Sequence, residues 1–413
     1  MKITGIKGYH LALPKNSTTV IGGVDDYTGH LYRDATDEQV KGWVDESVHY
    51  GNVMTYLVEV HTDEGIVGYG EVESLYGARG SLEMAGENLL GADPFEIQHA
   101  FNSIMLGRGN TLRAGGKHPR MQLSKELLGV EFALWDIVGK KTGVPVYKLL
   151  GGKVREKQAI TLFMGQKPID DCLHDIEAAV NEGIRTIKIK AGANDRRDVN
   201  LLRAIRDTFG WELLLRVDPN GAWGDVTDAV RILKQMEPYN LQYIEDGIRR
   251  TDANSFRRLR EMTGVPVCIC GEFNGPVEMT AHAALSKLAD LVQADAVDVV
   301  SVDPSRTGGL LGFTQVAAFC EGAGIELVTH RGRGGLMQSI WLNGLIACYS
   351  AGYAQDVVPF GQPSSIAADI ITQPLMHENG FMRVPEGLGF GVELNWENIR
   401  LYCRGIEQAG CIA

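Results

Sequence analysis

The feature that most limits what this chain can fold into is a beat. From residue 159 onward, short apolar runs rich in β-formers alternate with helical stretches: AITLF begins at 159, TIKIK at 186, LLLRV at 213, LQYIE at 241, VCICGE at 267, VDVVSV at 297, IELVTH at 325 and, weakly, DVVPF at 356. Between the second and the seventh, each run starts 26 to 30 residues after the one before. A regular strand-then-helix repeat of this length is the mark of parallel βαβ units, and eight of them close a barrel more naturally than they extend an open sheet. An open doubly wound sheet is the alternative, but the glycine-rich dinucleotide fingerprint it would often carry is missing after these strands. The fold class read from this pattern is α/β, a TIM-type (β/α)7β barrel.

The flanking segments have another texture. Residues 2 to 14 and 54 to 72 alternate as antiparallel strands, with Asp63-Glu64-Gly65 at a turn. The spacing predicts helices over 82 to 106 and 122 to 142; in the second, Leu127, Val130, Leu134 and Ile137 share one face and Gly143 can end it. In the tail, 380 to 402 turns to Pro, Gly and alternating residues again. The expected division is therefore an N-terminal α+β capping domain over 1–150, a barrel over 151–377, and a C-terminal return to the capping domain over 378–413.

Composition excludes several function classes. A formal charge of −12 without a Lys/Arg-rich tract leaves no electrostatic footprint for nucleic acid. No stretch approaches the ~18 apolar residues of a membrane span, and MKITGIKGYHLALPK reads as an amphipathic strand rather than a signal peptide. Seven cysteines, with no C-x-x-C pair, favour a reduced, cytoplasmic protein.

In a barrel, chemistry is placed at the C-terminal ends of the strands. Here the second strand ends Lys188-Ile189-Lys190, whose period-two alternation puts both ammonium groups on one face. The third gives Arg216, Asp218 and Asn220, the fourth Glu245, the fifth Glu272 after Cys268 and Cys270, the sixth Asp303 and the seventh His330. Asp218, Glu245 and Glu272, on three consecutive strands, make an all-oxygen site suited to Mg²⁺; zinc would want sulfur or imidazole. Cys268 and Cys270, deeper along their strand, read as small fillers of the barrel layers. A single Asp after a strand is commonly a helix cap, and two lysines can belong to a structural ion-pair network. So many charges inside one barrel are expensive unless they meet a metal or one another.

The chain resembles the enolase superfamily, and within it the mandelate racemase-like subgroup. The resemblance runs through FALWDIVGKKTGVPVYKLLGG (132 to 152), the K-x-K of TIKIKAG, VDPNGAW (217 to 223), YIED, CICGEF, VDPSRTGGL (302 to 310), a His ending strand seven, and VPEGLGFGVEL. It implies Asp218, Glu245 and Glu272 as ligands of one Mg²⁺ per subunit, and Lys190 as the base on one face of the substrate. Lys188 beside it favours the neutral amine by like-charge repulsion. It further implies His330 as the acid/base on the other face, with Asp303 as its hydrogen-bonded partner, and a homo-oligomer from dimer to octamer. Two departures stand out. The Glu often found at the end of strand eight is absent from AQDVVPFG (354 to 361), where Asp356 is the only acid and takes no assigned role. The usual Pro-His is Thr329-His330, followed by a basic Arg331-Gly332-Arg333.

A base on each face allows racemisation or epimerisation. It equally allows dehydration, if His330 protonates a β-hydroxyl as Lys190 takes the α-proton. The resemblance implies that dehydration of a sugar acid to a 2-keto-3-deoxy acid is the commoner use of this layout, with lactone cycloisomerisation a further variant. Tyr27 and His30 in the loop VIGGVDDYTGHLYRD, together with Asn220 and Arg331, are the candidate contacts to a small polyhydroxylated carboxylate. From other classes, a Schiff-base lysine aldolase or a non-catalytic binding protein would also use such a barrel.

Overall fold

A computed structural model describes residues 1–13, 53–73, 81–100, 125–249, 252–270, 281–329, 335–356 and 368–411. The N-terminal elements are β1 (Ile3–Leu13), β2 (Val53–Thr62) and β3 (Val67–Glu73), an antiparallel meander in which Gly65, at φ +75°, makes the expected turn between β2 and β3. Two helices cover it: α1 (Ser81–Leu89) and α2 (Lys125–Thr142).

The helix expected over 82 to 106 is interrupted. It stops at Leu89, Gly91 turns to φ +81° and donates its N–H to Ile3 O at 2.8 Å, and helical residues resume only at 97. The apolar spacing is helical on both sides, but the left-handed glycine and Asp93-Pro94 break the ladder. Helix α2 is buried on more than the predicted face: Leu127, Leu128, Val130, Phe132, Ala133, Leu134 and Ile137 are all essentially inaccessible. A helix whose apolar residues are buried on more than one face is one with structure on both sides. The meander lies on one side of α2, and on the other lie Leu310, Leu336, Ile340 and Trp341 of the barrel helices, in one continuous core.

The short α3 (Val146–Leu149) and β4 (Gln158–Ala159) lead into the repeat. It runs β5 (Thr161–Met164), α4 (Ile169–Asn181), β6 (Thr186–Lys190), α5 (Asp195–Phe209), β7 (Leu214–Asp218), α6 (Val226–Met236) and β8 (Leu241–Glu245). It continues with α7 (Ala253–Thr263), β9 (Val267–Ile269), α8 (Ala281–Gln293), β10 (Val299–Ser301), α9 (Gly309–Ala323), β11 (Glu326–Val328) and α10 (Leu336–Ile346). The seven strands β5 to β11 form one parallel sheet in sequential order, a half-barrel. Alternation along each strand sends Ile187, Ile189, Leu215, Val217, Ile244, Val267, Ile269, Val300 and Leu327 outward to the helices. Tyr243, Cys268, Val299 and Val328 pack together inside. All seven cysteines are unpaired, and Cys268 and Cys270 are buried as expected of layer fillers.

At the eighth position the expected strand start at 356 comes too late. The segment before it is the one that joins: Gln355 bridges to Ile160, between β4 and β5 (Gln355 N to Ala159 O, 2.8 Å; Thr161 N to Gln355 O, 3.0 Å), and Leu327 N of β11 donates to Ser350 O at 2.7 Å. Asp356 therefore stands at a strand end rather than at a strand start. The tail then forms β12 (Phe381–Met382), paired with β4, then α11 (Trp396–Tyr402) and β13 (Cys403–Gly410). Strand β13 pairs antiparallel with β1, so the chain does return to the capping sheet, whose order is β13-β1-β2-β3. Among the described residues no helix is long and apolar enough to cross a membrane.

Candidate active site

Strand register assembles the first part of the site. In parallel strands, residues side by side point to the same face, and Lys188 pairs with Arg216, Lys190 with Asp218 and Glu245 with Cys268. These side chains therefore converge inside the half-barrel. Lys188 Nζ lies 2.8 Å from Glu245 Oε2, 2.9 Å from Asp356 Oδ2 and 3.6 Å from Asp218 Oδ2. Lys190 Nζ lies 2.8 Å from Asp218 Oδ2 and donates to Asn220 Oδ1 as well.

The loops after β7 and β8 are pinned by residues in the left-handed region. Asn220 (φ +49°) donates its N–H to Asp218 Oδ1 at 3.0 Å, and Asp246 (φ +44°) accepts Cys270 N at 2.9 Å. Asn and Asp tolerate this conformation better than other residues with a Cβ, which lets the chain turn sharply behind each strand-end acid. One layer deeper, the buried Arg216 braces the barrel, donating to Gln242 Oε1 (2.7 Å), Thr161 Oγ1 (3.2 Å) and Ala354 O (2.8 Å).

The electrostatics are those of a crowded carboxylate cluster. Burial alone would depress the Lys188 ammonium, but Asp356, Glu245 and Asp218 outweigh it and hold it well above the ordinary lysine range. Burial opposes ionisation of Asp218 too, yet Lys190 and Lys188 keep it below the usual carboxylate range. Glu245 goes the other way. Burial pushes it up, Lys188 pulls against this, and Asp218, Asp246 and Asp356 add repulsion, leaving it at about 8. Asp218, Glu245 and Asp356 here face Lys188, Lys190 and, at 3.9 Å from Asp356 Oδ1, Arg216 Nη1, so acidic and basic groups are matched in number. A hard divalent cation fits such a donor set: all oxygen, buried, and with one carboxyl that ionises reluctantly until a positive charge arrives. Among the described residues no group of three or more His, Cys, Asp or Glu could by itself hold a metal. The third expected ligand, Glu272, lies outside the described residues.

Of the other expected site residues, Asp303 stands just past β10, buried, its carboxylate accepting from Ser305 Oγ at 2.5 Å and from Arg306 Nε at 3.1 Å. His330, Arg331, Tyr27 and His30 lie outside the described residues. Two residues were missed by sequence reasoning. Asp356 was noticed as the sole acid of its stretch but given no role, and it is a direct partner of Lys188. Phe163, at the end of β5, has its ring centroid 5.6 Å from Lys188 Nζ and 5.4 Å from Lys190 Nζ, an apolar wall with a cation–π contact to each lysine. Its only signal was that it stands two residues after Thr161 on the inward face.

Comparison with known proteins agrees with this architecture. Residues 171–398 match the family model "Enolase C-terminal domain-like", and 46–151 match "Mandelate racemase / muconate lactonizing enzyme, N-terminal domain". The N-succinyl-L-Arg/Lys racemase of Bacillus cereus is 24% identical over 85% of this chain and 90% of that protein. Its crystal structure superposes with a TM-score of 0.78, covering 99% and 100% of the two chains at 21% identity. The arabinonate dehydratase of Saccharolobus solfataricus is 27% identical over 81% of this chain and 86% of its own. The L-talarate dehydratase of a Polaromonas species, crystallised with Mg and L-glucarate, shares the fold at a TM-score of 0.74 and 23% identity, covering 100% and 99%. With both domain models matched in order, the chain belongs to the enolase superfamily, in its mandelate racemase / muconate lactonizing enzyme branch of lyases and isomerases that abstract the proton α to a carboxylate.

Proposed function

We infer that this chain is a Mg²⁺-dependent dehydratase of a sugar acid, an aldonate or aldarate, forming a 2-keto-3-deoxy acid. The observation that carries the assignment of the base is the contrast between the two lysines. The Lys188 side chain is 2% exposed and caged by three carboxylates, whereas Lys190 is 14% exposed at the open end of the same strand. Lys190 is thus the lysine able to reach a substrate carbon, and Lys188 holds a fixed positive charge beside it.

Asp218, Glu245 and Glu272 would hold the metal, which when bound draws charge from the substrate carboxylate and so stabilises the enediolate. Lys190 takes the α-proton, and Asn220, tied to both Lys190 and Asp218, keeps the amine aimed at the cleft. His330, with Asp303 as its expected partner, delivers the proton that lets a β-hydroxyl leave as water. An imidazolium suits that step because its ordinary pKa, about 6.5, makes it a far stronger acid than a lysine ammonium at about 10.4. The resemblance of the chain to dehydratases of arabinonate and talarate supports the sugar-acid reading.

Racemisation or epimerisation is the second reading, favoured by similarity to an N-succinyl-L-Arg/Lys racemase and a hydrophobic dipeptide epimerase. A panel of aldonates and aldarates, with semicarbazide detection of 2-keto acids, tests the first reading. The same panel in deuterium oxide, extended to N-succinyl amino acids and dipeptides, tests the second. Deuterium uptake at the α-carbon without any keto acid would replace dehydration by racemisation. Loss of turnover with EDTA and recovery with Mg²⁺ is expected; a substrate adduct trapped by borohydride on Lys188 or Lys190 would instead establish Schiff-base chemistry.

A further inference from the structure

We propose that Glu131 and Glu71 of the capping domain are the N-terminal caps of two barrel helices, and that Glu131 is thereby a positioning residue for Asp303. Every helix begins with N–H groups that have no partner within the helix. Helices α5, α6 and α7 supply an acceptor from their own sequence: Asn194 accepts from Arg197 N, Asp225 from Thr227 N and Asp228 N, and Asp252 from Ser255 N. Helices α9 and α10 begin instead on Gly308 and Gly335, which have no side chain to cap with.

The acceptors for these two helices come from the other domain. Glu131 of α2, 1% exposed, accepts from Leu310 N and Leu311 N, both at 3.1 Å. Glu71 of β3, fully buried, accepts from Met337 N at 2.8 Å. Each carboxylate is itself held in place, Glu131 by Trp135 Nε1 at 2.7 Å and Glu71 by Thr55 Oγ1 at 2.9 Å. Gly309 shows how close the fit is: a Cβ there would stand 2.3 Å from the Glu131 carboxyl carbon, and its φ is +85°. A buried carboxylate at a helix N-terminus is favoured by both the free N–H groups and the helix dipole.

The cap reaches Asp303 through a short, closed path. Arg306 N donates to Asp303 O (3.0 Å), Thr307 Oγ1 donates to the same carbonyl (3.0 Å), and Gly309 N donates to Pro304 O (2.9 Å). The turn from Asp303 to the first residue of α9 is therefore cross-tied, and the position of Leu310 fixes that of Asp303. The strand end that carries Asp303 is aligned by the docking of the capping domain, not by the barrel alone.

The inference rests on reading Asp303 as a site residue, so its test uses the full chain without substrate. In Glu131→Met, which keeps the bulk but removes the acceptor, the amides of Leu310 and Leu311 are expected to exchange with solvent about tenfold faster, with Glu131→Gln in between. Met337 and the first turns of α5 to α7 should stay at wild-type rates. Glu71→Gln should free Met337 alone. The carboxyl-carbon resonance of Asp303, assigned through its loss in Asp303→Asn, should move in Glu131→Met and return most of the way in Glu131→Gln. Unchanged exchange at Leu310 and Leu311, an equal rise at every helix start, or an Asp303 resonance that does not move would each overturn the proposal. A wrong reaction assignment shows up separately, as wild-type protein that turns over nothing in the acid panel.

Discussion

The two sides of the half-barrel are built by different means. On the β6 to β8 side, the candidate site groups are aligned by strand register: Lys190 beside Asp218 across one strand pair, with Lys188 reaching from the same strand to Glu245. The helices there close their own first turns with Asn194, Asp225 and Asp252. On the β10 to β11 side, the helices begin on glycine and the caps arrive from 179 and 266 residues away in sequence. One side is set by local chemistry and the other by domain docking. A barrel whose lid is also a structural brace ties part of the site to the domain expected to carry the specificity loop.

The largest expected effect tests the register-built side. Lys190→Ala should reduce α-proton exchange about a thousandfold while leaving the melting temperature near that of the wild type, since the side chain is at the open end of the cluster. A fall of only a few fold would move the base role elsewhere. Next comes Asp356→Ala, which strips a buried partner from Lys188 and should cost about 3 kcal/mol of stability in denaturant melts. If the variant melts like wild type, Asp356 is not what cages Lys188.

The two sides also offer matched carboxyl groups for a pH test. Burial pushes Glu131 up to about 7 against the pull of Leu311 N, Trp135 and Leu310 N, and burial likewise pushes Asp198, in the first turn of α5, up to about 7 against Arg197. A carboxyl whose folded pKa lies above its unfolded one binds its proton more readily in the folded state. The stability it contributes is therefore whole below about pH 4 and lost as pH rises through about 7, on the order of 4 kcal/mol for each group. Asp198→Asn and Glu131→Gln should each flatten this slope in melts taken from pH 4 to 8, and a slope that persists in both would place the titration elsewhere. The smallest effect is Asp252→Ala, about 1 kcal/mol, with faster amide exchange confined to the first turn of α7. Loosening at α9 in that variant would break the distinction between the two sides.

Much of this was legible in the sequence because it is written in short-range periods. The 26-to-30-residue beat gave the half-barrel, and inward alternation brought Lys188, Lys190, Asp218 and Glu245 into one cluster. Gly91, which breaks the expected helix, was visible but outweighed by apolar spacing on both sides. Asp356 was visible too; what the sequence lacked was the register of the eighth element, in which Gln355 and not Asp356 makes the bridge to Ile160, just before β5.

By itself, then, the sequence determined the parallel repeat, the returning tail and the kind of donor available at the ends of β6, β7 and β8, since these depend on periods of two and 3.6 residues and on residue chemistry. Only the tertiary structure decided which lysine is caged and which is open, because that depends on where Asp356 arrives. It alone paired Glu131 and Glu71 with helices that begin on glycine, because an unpaired N–H carries no mark in its own sequence of the distant carboxylate that will meet it.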